Sequence, residues 1–265
     1  MKTFPPILVF RLILCILFSV CYLPLVAIIN LATFRLFTLS FTSPLSRIWG
    51  RGCLFFLGIK LNVENKEIMN QREPRILLFN HTSTLDIFVM GSLFAVGGTA
   101  IGKKELAYIP FLNVTWWAMG FSFLDRKNHE KGIVQLNAFC DELISKKMTI
   151  MIAPEGTRSR TGELQKFKMG AFQVALRTKV PMVPMVICNA AELMPYKNFL
   201  PRPGTIDVKI LPAFQTDDLC YENLRQKTKE VRDIYVKELH LYAEKRGFDK
   251  NPSESVTLPS SLPLP

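Results

Sequence analysis

"RILLFNHTSTLD", residues 75–86, sets an apolar run against a polar corner that holds a histidine and an aspartate five positions apart. The run "RILLF" has the length of a strand, and its lack of alternation marks one buried on both faces. The hydroxyl-rich "HTST" stops it. From Asp86, "DIFVMGSLFAVG" reads as a helix with the aspartate near its start. A buried strand that turns through a polar corner into a helix is the repeating unit of an α/β layer fold.

The same grammar recurs downstream. "TIMIA" from Thr149, "PMVPMVIC" from Pro181 and "TIDVKIL" from Thr205 read as strands. "HEKGIVQLNAFCDELISKK" from His129 places Ile133, Leu136, Cys140, Leu143 and Ile144 on one helical face, and "AFQVALRTK" from Ala171 is a second helix. Residues 217–247 are charged and helical in character. The expected fold is therefore α/β, a mostly parallel central sheet flanked by helices, with functional residues at strand ends and in the loops beyond them.

Upstream lies a different kind of segment. No charge falls between Arg11 and Arg35, and "LILCILFSVCYLPLVAIINLATF" is about long enough to cross a hydrocarbon core of roughly 30 Å. Pro24 would kink such a helix. The stretch exceeds a usual signal-peptide core and no small-x-small cleavage site follows, so a retained N-terminal hydrophobic membrane anchor is expected. Arg35, Arg47 and Arg51, interleaved with Leu36, Phe37, Leu39, Ile48 and Trp49, extend it into a second, basic membrane-contacting helix. The domain reading is 1–50 anchor and basic interfacial helix, 51–250 catalytic domain, and 251–265 a Pro- and Ser-rich disordered tail.

The formal charge of +11 on 265 residues calls for an anionic partner. Beside an apolar anchor, the lipid bilayer is the expected one; no nucleic-acid-binding motif is present. Six scattered cysteines carry no C-x-x-C pairing, which argues against a zinc site or a disulfide framework and for a domain facing the reducing cytoplasm. "NHT" at Asn80 and "NVT" at Asn113 match the glycosylation sequon, a short pattern that also arises by chance.

Four clusters carry possible chemistry. A carboxylate that fixes an imidazole tautomer makes a general base, and His81 with Asp86 offers that pair. On one ideal helix five residues turn through about 500°, so the two would diverge. They meet only if the chain turns between them, and Thr82, Ser83 or Thr84 as a helix cap would supply that turn. In "GGTAIGKK" (97–104) the pattern G-x-x-x-x-G-K ends in Lys104, where a nucleotide-binding loop needs a hydroxyl for Mg²⁺; Lys103 and Lys104 remain candidates for another phosphate. "FSFLDR" ends in Asp125 and Arg126, an ion pair or a two-pronged phosphate contact. "APEGTRS" (153–159) offers Glu155 to hydroxyls and Arg158 to phosphate. No G-x-S-x-G or H-E-x-x-H motif appears, so the chemistry needs a base without an evident protein nucleophile or metal.

In order, His81-x-x-x-x-Asp86, "GFSFLDR", "APEGTRS" and "VPMVPMVI" resemble the four sequence blocks of the glycerolipid acyltransferases, particularly those that acylate lysophosphatidic acid; "GKKELAYIPFLN" is similar to family sequence too. The resemblance covers about residues 50–215. It implies transfer of a fatty acyl group from an acyl thioester to the sn-2 hydroxyl of lysophosphatidic acid, giving phosphatidic acid. His81 would be the base and Asp86 its orienting partner. Glu155 would touch the glycerol and Arg158 the phosphate, with Gly156 and Thr157 shaping the loop and Lys104 and Arg126 adding phosphate contacts. No metal or cofactor is implied beyond acyl carrier protein or coenzyme A as the donor's carrier. The expected location is the inner (cytoplasmic) membrane with the catalytic domain facing the cytoplasm. An enzyme for another lyso-lipid, such as lyso-ornithine lipid, or a non-catalytic lipid-binding protein is the alternative.

Overall fold

The computed structural model describes residues 5–32, 38–103, 108, 113–114, 116, 121–124 and 129–247; for 38–41, 103, 122–124 and 129–133 the backbone alone is described. Two helices come first, α1 (Pro6–Ala32) and α2 (Thr38–Leu57), then β1 (Ile59–Glu64), a 3-10 turn (Lys66–Asn70), β2 (Arg75–Phe79), α3 (Leu85–Ser92), β3 (Gly98–Lys103) and β4 (Ser122–Leu124). α4 (His129–Ser145), β5 (Thr149–Ile152), α5 (Gly170–Thr178), β6 (Met182–Ile187), α6 (Ala190–Leu193), β7 (Gly204–Ile210) and α7 (Leu224–Lys245) complete the chain.

Among the described residues the strands form one seven-stranded sheet in the order β1-β7-β6-β2-β5-β3-β4. Every neighbouring pair is parallel except β6 and β7. Parallel neighbours need a crossover to return the chain to the same sheet end, whereas β6 reaches β7 through residues 188–203 and only the one-turn α6, so that pair runs antiparallel. The mostly parallel α/β architecture is thus as expected, with one reversed pair.

β2 lies near the centre, in register with β5 (Leu78 opposite Ile152) and β6 (Phe79 opposite Met185). Its side chains alternate between two cores. Ile76 and Leu78 join Phe139, Leu143, Phe172 and Tyr235 from α4, α5 and α7. Leu77 packs with Leu54, Leu57, Leu85 and Val89 from α2 and α3. Covering both faces is what makes β2 and β6 read as unbroken apolar runs. Pro184, inside β6, lies before the β7 ladder begins and offers its carbonyl to the Leu211 N–H at 2.8 Å.

α1 is long and apolar enough to cross a membrane, and Ile7, Phe10, Ile13, Leu17, Val20 and Ile28 stand exposed along it. This makes the chain a membrane-associated one. The helix does not stand alone, because the Phe18 ring packs at a tilt against Phe56, Tyr22 donates to the Leu45 carbonyl at 2.9 Å and Trp49 donates to Ser19 at 3.1 Å, so α1 lies along α2. α2 runs through the boundary expected at 50/51 and packs on α3 at closest approach through Gly50: a Cβ there would sit 2.1 Å from the Ser92 amide nitrogen. Arg47, read from sequence as part of a basic interfacial face, instead binds the carbonyls of Phe94 (2.7 Å) and Met69 (3.0 Å) and the Asn70 side chain (2.9 Å). The tail from Asn251 lies outside the described residues.

In "GGTAIGKK", Gly98–Lys103 is β3, paired with β5 on one side and β4 on the other, so Gly98 and Gly102 lie in a strand and Gly97 in the turn before it. Asn80 is fully buried, which rules it out as a glycan acceptor.

Candidate active site

β2, β5 and β6 are parallel, so the loops that follow them open on one end of the sheet. Asn80 finishes β2 and clasps the end of β6, its Oδ1 accepting from the Ile187 N–H (2.7 Å) and its Nδ2 donating to the Ile187 carbonyl (2.9 Å). The next residue is His81. Its main-chain N–H donates to Glu155 Oε1 at 2.6 Å, and its carbonyl accepts from the Ser159 N–H at 2.8 Å. The backbone of the histidine is therefore held by the loop after β5 on both sides of the residue.

The His81 and Asp86 side chains do meet: Nδ1 lies 2.8 Å from Asp86 Oδ2. The corner is made differently from the expected hydroxyl cap. Thr84 occupies the cap position without a side-chain capping bond to the helix, and the Asp86 carboxylate itself turns back to accept the N–H groups of Thr82 and Ser83, each at 2.8 Å. Ser83 finishes the corner, accepting from the Leu85 N–H at 3.2 Å and donating to the Met194 carbonyl at 2.8 Å. One aspartate oxygen thus shapes the turn and orients the imidazole.

Asp86 is fully buried while the His81 side chain is 21% exposed, so the pair has an inner acid and an outer base. An ionised carboxylate only accepts, so Nδ1 carries the proton and the Nε2 lone pair is left for a substrate. Burial pushes the Asp86 carboxyl up from its ordinary value, against the hydrogen bond and charge of His81 and the amides of Ser83 and Thr82. Its Oδ1 has no hydrogen-bond partner among the described residues.

Glu155 is also buried, 1% exposed, and both its oxygens are engaged by main chain, Oε2 accepting from the Gln165 N–H at 3.0 Å. Burial raises its carboxyl and the amides of His81 and Gln165 oppose the rise. Both carboxylate oxygens thus face the protein's own backbone. Gly156 takes a left-handed conformation (φ +72°), and a Cβ there would come within 3.0 Å of Lys168 Nζ. Thr157 is exposed, its carbonyl accepting from Gln165 Nε2 at 2.8 Å. Arg158 donates to Thr84 Oγ1 and stacks on Tyr196 at 4.6 Å, which puts a guanidinium beside the His81–Asp86 corner. β3 and β4 end at Lys103 and Leu124 on the same end of the sheet; Lys104 and Arg126 lie outside the described residues.

Sequence reasoning missed Asn80, Lys168 and Tyr196. Lys168 had a signal, the basic "KFK" just after the third block. Tyr196 had none, because its partner Arg158 is 38 positions away.

A family model described as acyltransferase matches residues 60–188. The chain is 37% identical over 182 residues to a 1-acyl-sn-glycerol-3-phosphate acyltransferase of Saccharomyces cerevisiae, covering 68% of this chain and 60% of that one. It is 31% identical over 192 residues to the enzyme of the same name from Cocos nucifera, covering 72% and 62%. The chain thus spans about three fifths of the length of these curated relatives. The crystal structure of the 1-acyl-sn-glycerophosphate acyltransferase PlsC from Thermotoga maritima superposes with a TM-score of 0.63 at 25% identity, covering 86% of this chain and 97% of that one. The span matched by the family model runs from β1 through the end of β6 and so contains His81, Asp86 and the loop from Glu155 to Arg158. Residues 60–188 of the chain form an acyltransferase-family domain.

Proposed function

We propose that this chain transfers a fatty acyl group from an acyl thioester to the sn-2 hydroxyl of lysophosphatidic acid, forming phosphatidic acid. The observation that carries the reading is the 2.8 Å contact between His81 Nδ1 and Asp86, which leaves Nε2 as an outward-facing base. The names of the relatives from Saccharomyces cerevisiae and Cocos nucifera support the choice of acceptor. In this reaction Nε2 removes the hydroxyl proton as the oxygen attacks the thioester carbonyl. The C–S bond of the tetrahedral intermediate then breaks, and the departing thiolate takes the proton from the imidazolium. Asp86 stabilises that imidazolium and Arg158 meets the acceptor's phosphate. Lys104, one position after the end of β3, and Arg126, two positions after the end of β4, add phosphate contacts.

The donor's carrier is acyl carrier protein or coenzyme A, and the reaction balances with no further cofactor. The active site faces the cytoplasm at the inner membrane, a reading supported by six cysteines that are all free. Membranes containing the chain, assayed with both donors against a set of lyso-lipids, test it. Turnover of lysophosphatidic acid should vanish in His81→Ala, and Arg158→Ala should raise its KM about tenfold or more, the size of a lost charge-assisted contact. Normal turnover by His81→Ala, or exclusive use of an uncharged lyso-lipid, overturns the assignment.

A further inference from the structure

The connection from α6 to β7, residues 194–203, joins two places that matter. At its start Met194 holds Ser83 at the catalytic corner and Tyr196 lies under Arg158. At its end Gly204 donates to the Gly58 carbonyl at 3.2 Å, at the joint between α2 and β1. A Cβ on Gly58 would lie 2.6 Å from the Arg11 guanidinium and 3.3 Å from Pro203, so the loop's end and the first turns of α1 meet there. Between these ends the loop projects Phe199, 81% exposed, with exposed Lys197 before it and half-buried Arg202 after it. Phe55, 77% exposed, sits three residues before the same joint, one turn from exposed Arg51. No acidic residue occurs between Glu192 and Asp207, and Glu192 is paired with Arg246 at 2.8 Å.

We propose that the loop Lys197–Arg202 is a second membrane contact, in which Phe199 enters the headgroup boundary of an anionic lipid surface and Lys197 and Arg202 meet lipid phosphates. The inference rests on the reading of α1 as a membrane segment and adds a contact beside the active site. Three observations select lipid over a protein partner: the loop adjoins the apolar helix, its charges are of one sign, and it presents one aromatic tip among cations, the composition of interfacial anchors. The lipid surface would then reach the chain next to His81, where a lyso-lipid acceptor must enter.

The test uses the full chain in vesicles of phosphatidylcholine and phosphatidylglycerol. A photoreactive p-benzoylphenylalanine placed at position 199 should give a phospholipid adduct on irradiation, read by mass spectrometry. The same group at position 221 should not, since Tyr221 is equally exposed, at 81%, but follows the segment that pairs with the start of β6, the opposite end from His81. Flotation without a lipid adduct at 199, equal labelling at both positions, or a protein adduct at 199 would overturn the loop contact and leave α1 standing. Failure to float would overturn both readings. Phe199→Ser should lower acyl transfer to vesicle-borne acceptor about tenfold, the size of a largely buried aromatic contact, and leave detergent-dispersed acceptor unaffected. An equal loss in both would assign Phe199 to folding instead.

Discussion

Asp86 accepts from the imidazole and from two amides through a single oxygen, and Glu155 divides its two oxygens between the amides of His81 and Gln165. Two buried carboxylates thus grip one histidine, the first by its ring and the second by its backbone. The second grip has a kinetic signature. Glu155→Gln keeps an acceptor for one amide and turns an NH₂ group toward the other, so kcat should fall about ten- to a hundredfold with the KM for lysophosphatidic acid nearly unchanged. A rise in KM at constant kcat would instead place Glu155 on the glycerol. The His81–Asp86 pair was legible in sequence because its spacing is local and its residue types are few. The role of Glu155 was not, because a carboxylate that bonds to main chain 74 positions away leaves no trace in residue type. The hydroxyls of "TST" told only part of the corner: Ser83 does accept the Leu85 amide, but the amides of Thr82 and Ser83 themselves are taken by the aspartate that follows them.

At the scale of elements, strands with apolar runs were readable, as was the alternating β7, whereas β1 and β3 were not. β2, β5 and β6 lie buried and read as apolar runs. β1 is an edge strand that turns Lys60, Asn62 and Glu64 outward, and β3 begins with Gly98 and Thr99 and ends in Gly102 and Lys103, so neither carries a run. Small residues in β3 imitate a phosphate loop in one dimension. The helix contact at Gly50 was equally hidden, since nothing in "RIWGRG" says that another backbone lies against it. Gly50→Val should destabilise the fold by about 2 kcal/mol or more, because the side chain would have to part α2 from α3. The denaturation midpoint in detergent measures this, with exposed Arg51→Ala expected within about 0.5 kcal/mol of the parent.

At the scale of the whole molecule, charge and apolar surface act together. The formal charge of +11 and the exposed flank of α1 make an anionic bilayer a favourable place for the chain. Raising the ionic strength from about 0.01 M to about 1 M shortens the screening length from roughly 30 Å to 3 Å. The apparent KM for lysophosphatidic acid in anionic vesicles should then rise about three- to tenfold while the chain stays vesicle-bound through α1; no change would mean that the basic residues form only a solvated face. The pairing of β1 with β7 has a further consequence, for the order of assembly. Asn62 bonds to Asp207 across 145 positions, so the strand joined directly to α2 has no partner until residues 204–210 have been made. During synthesis the apolar helix emerges first and can reach the bilayer while the sheet is still open. Closure of that edge, slow because it must draw together distant parts of the chain, takes place at the membrane surface. The bilayer is thus the setting in which the chain's last strands find each other.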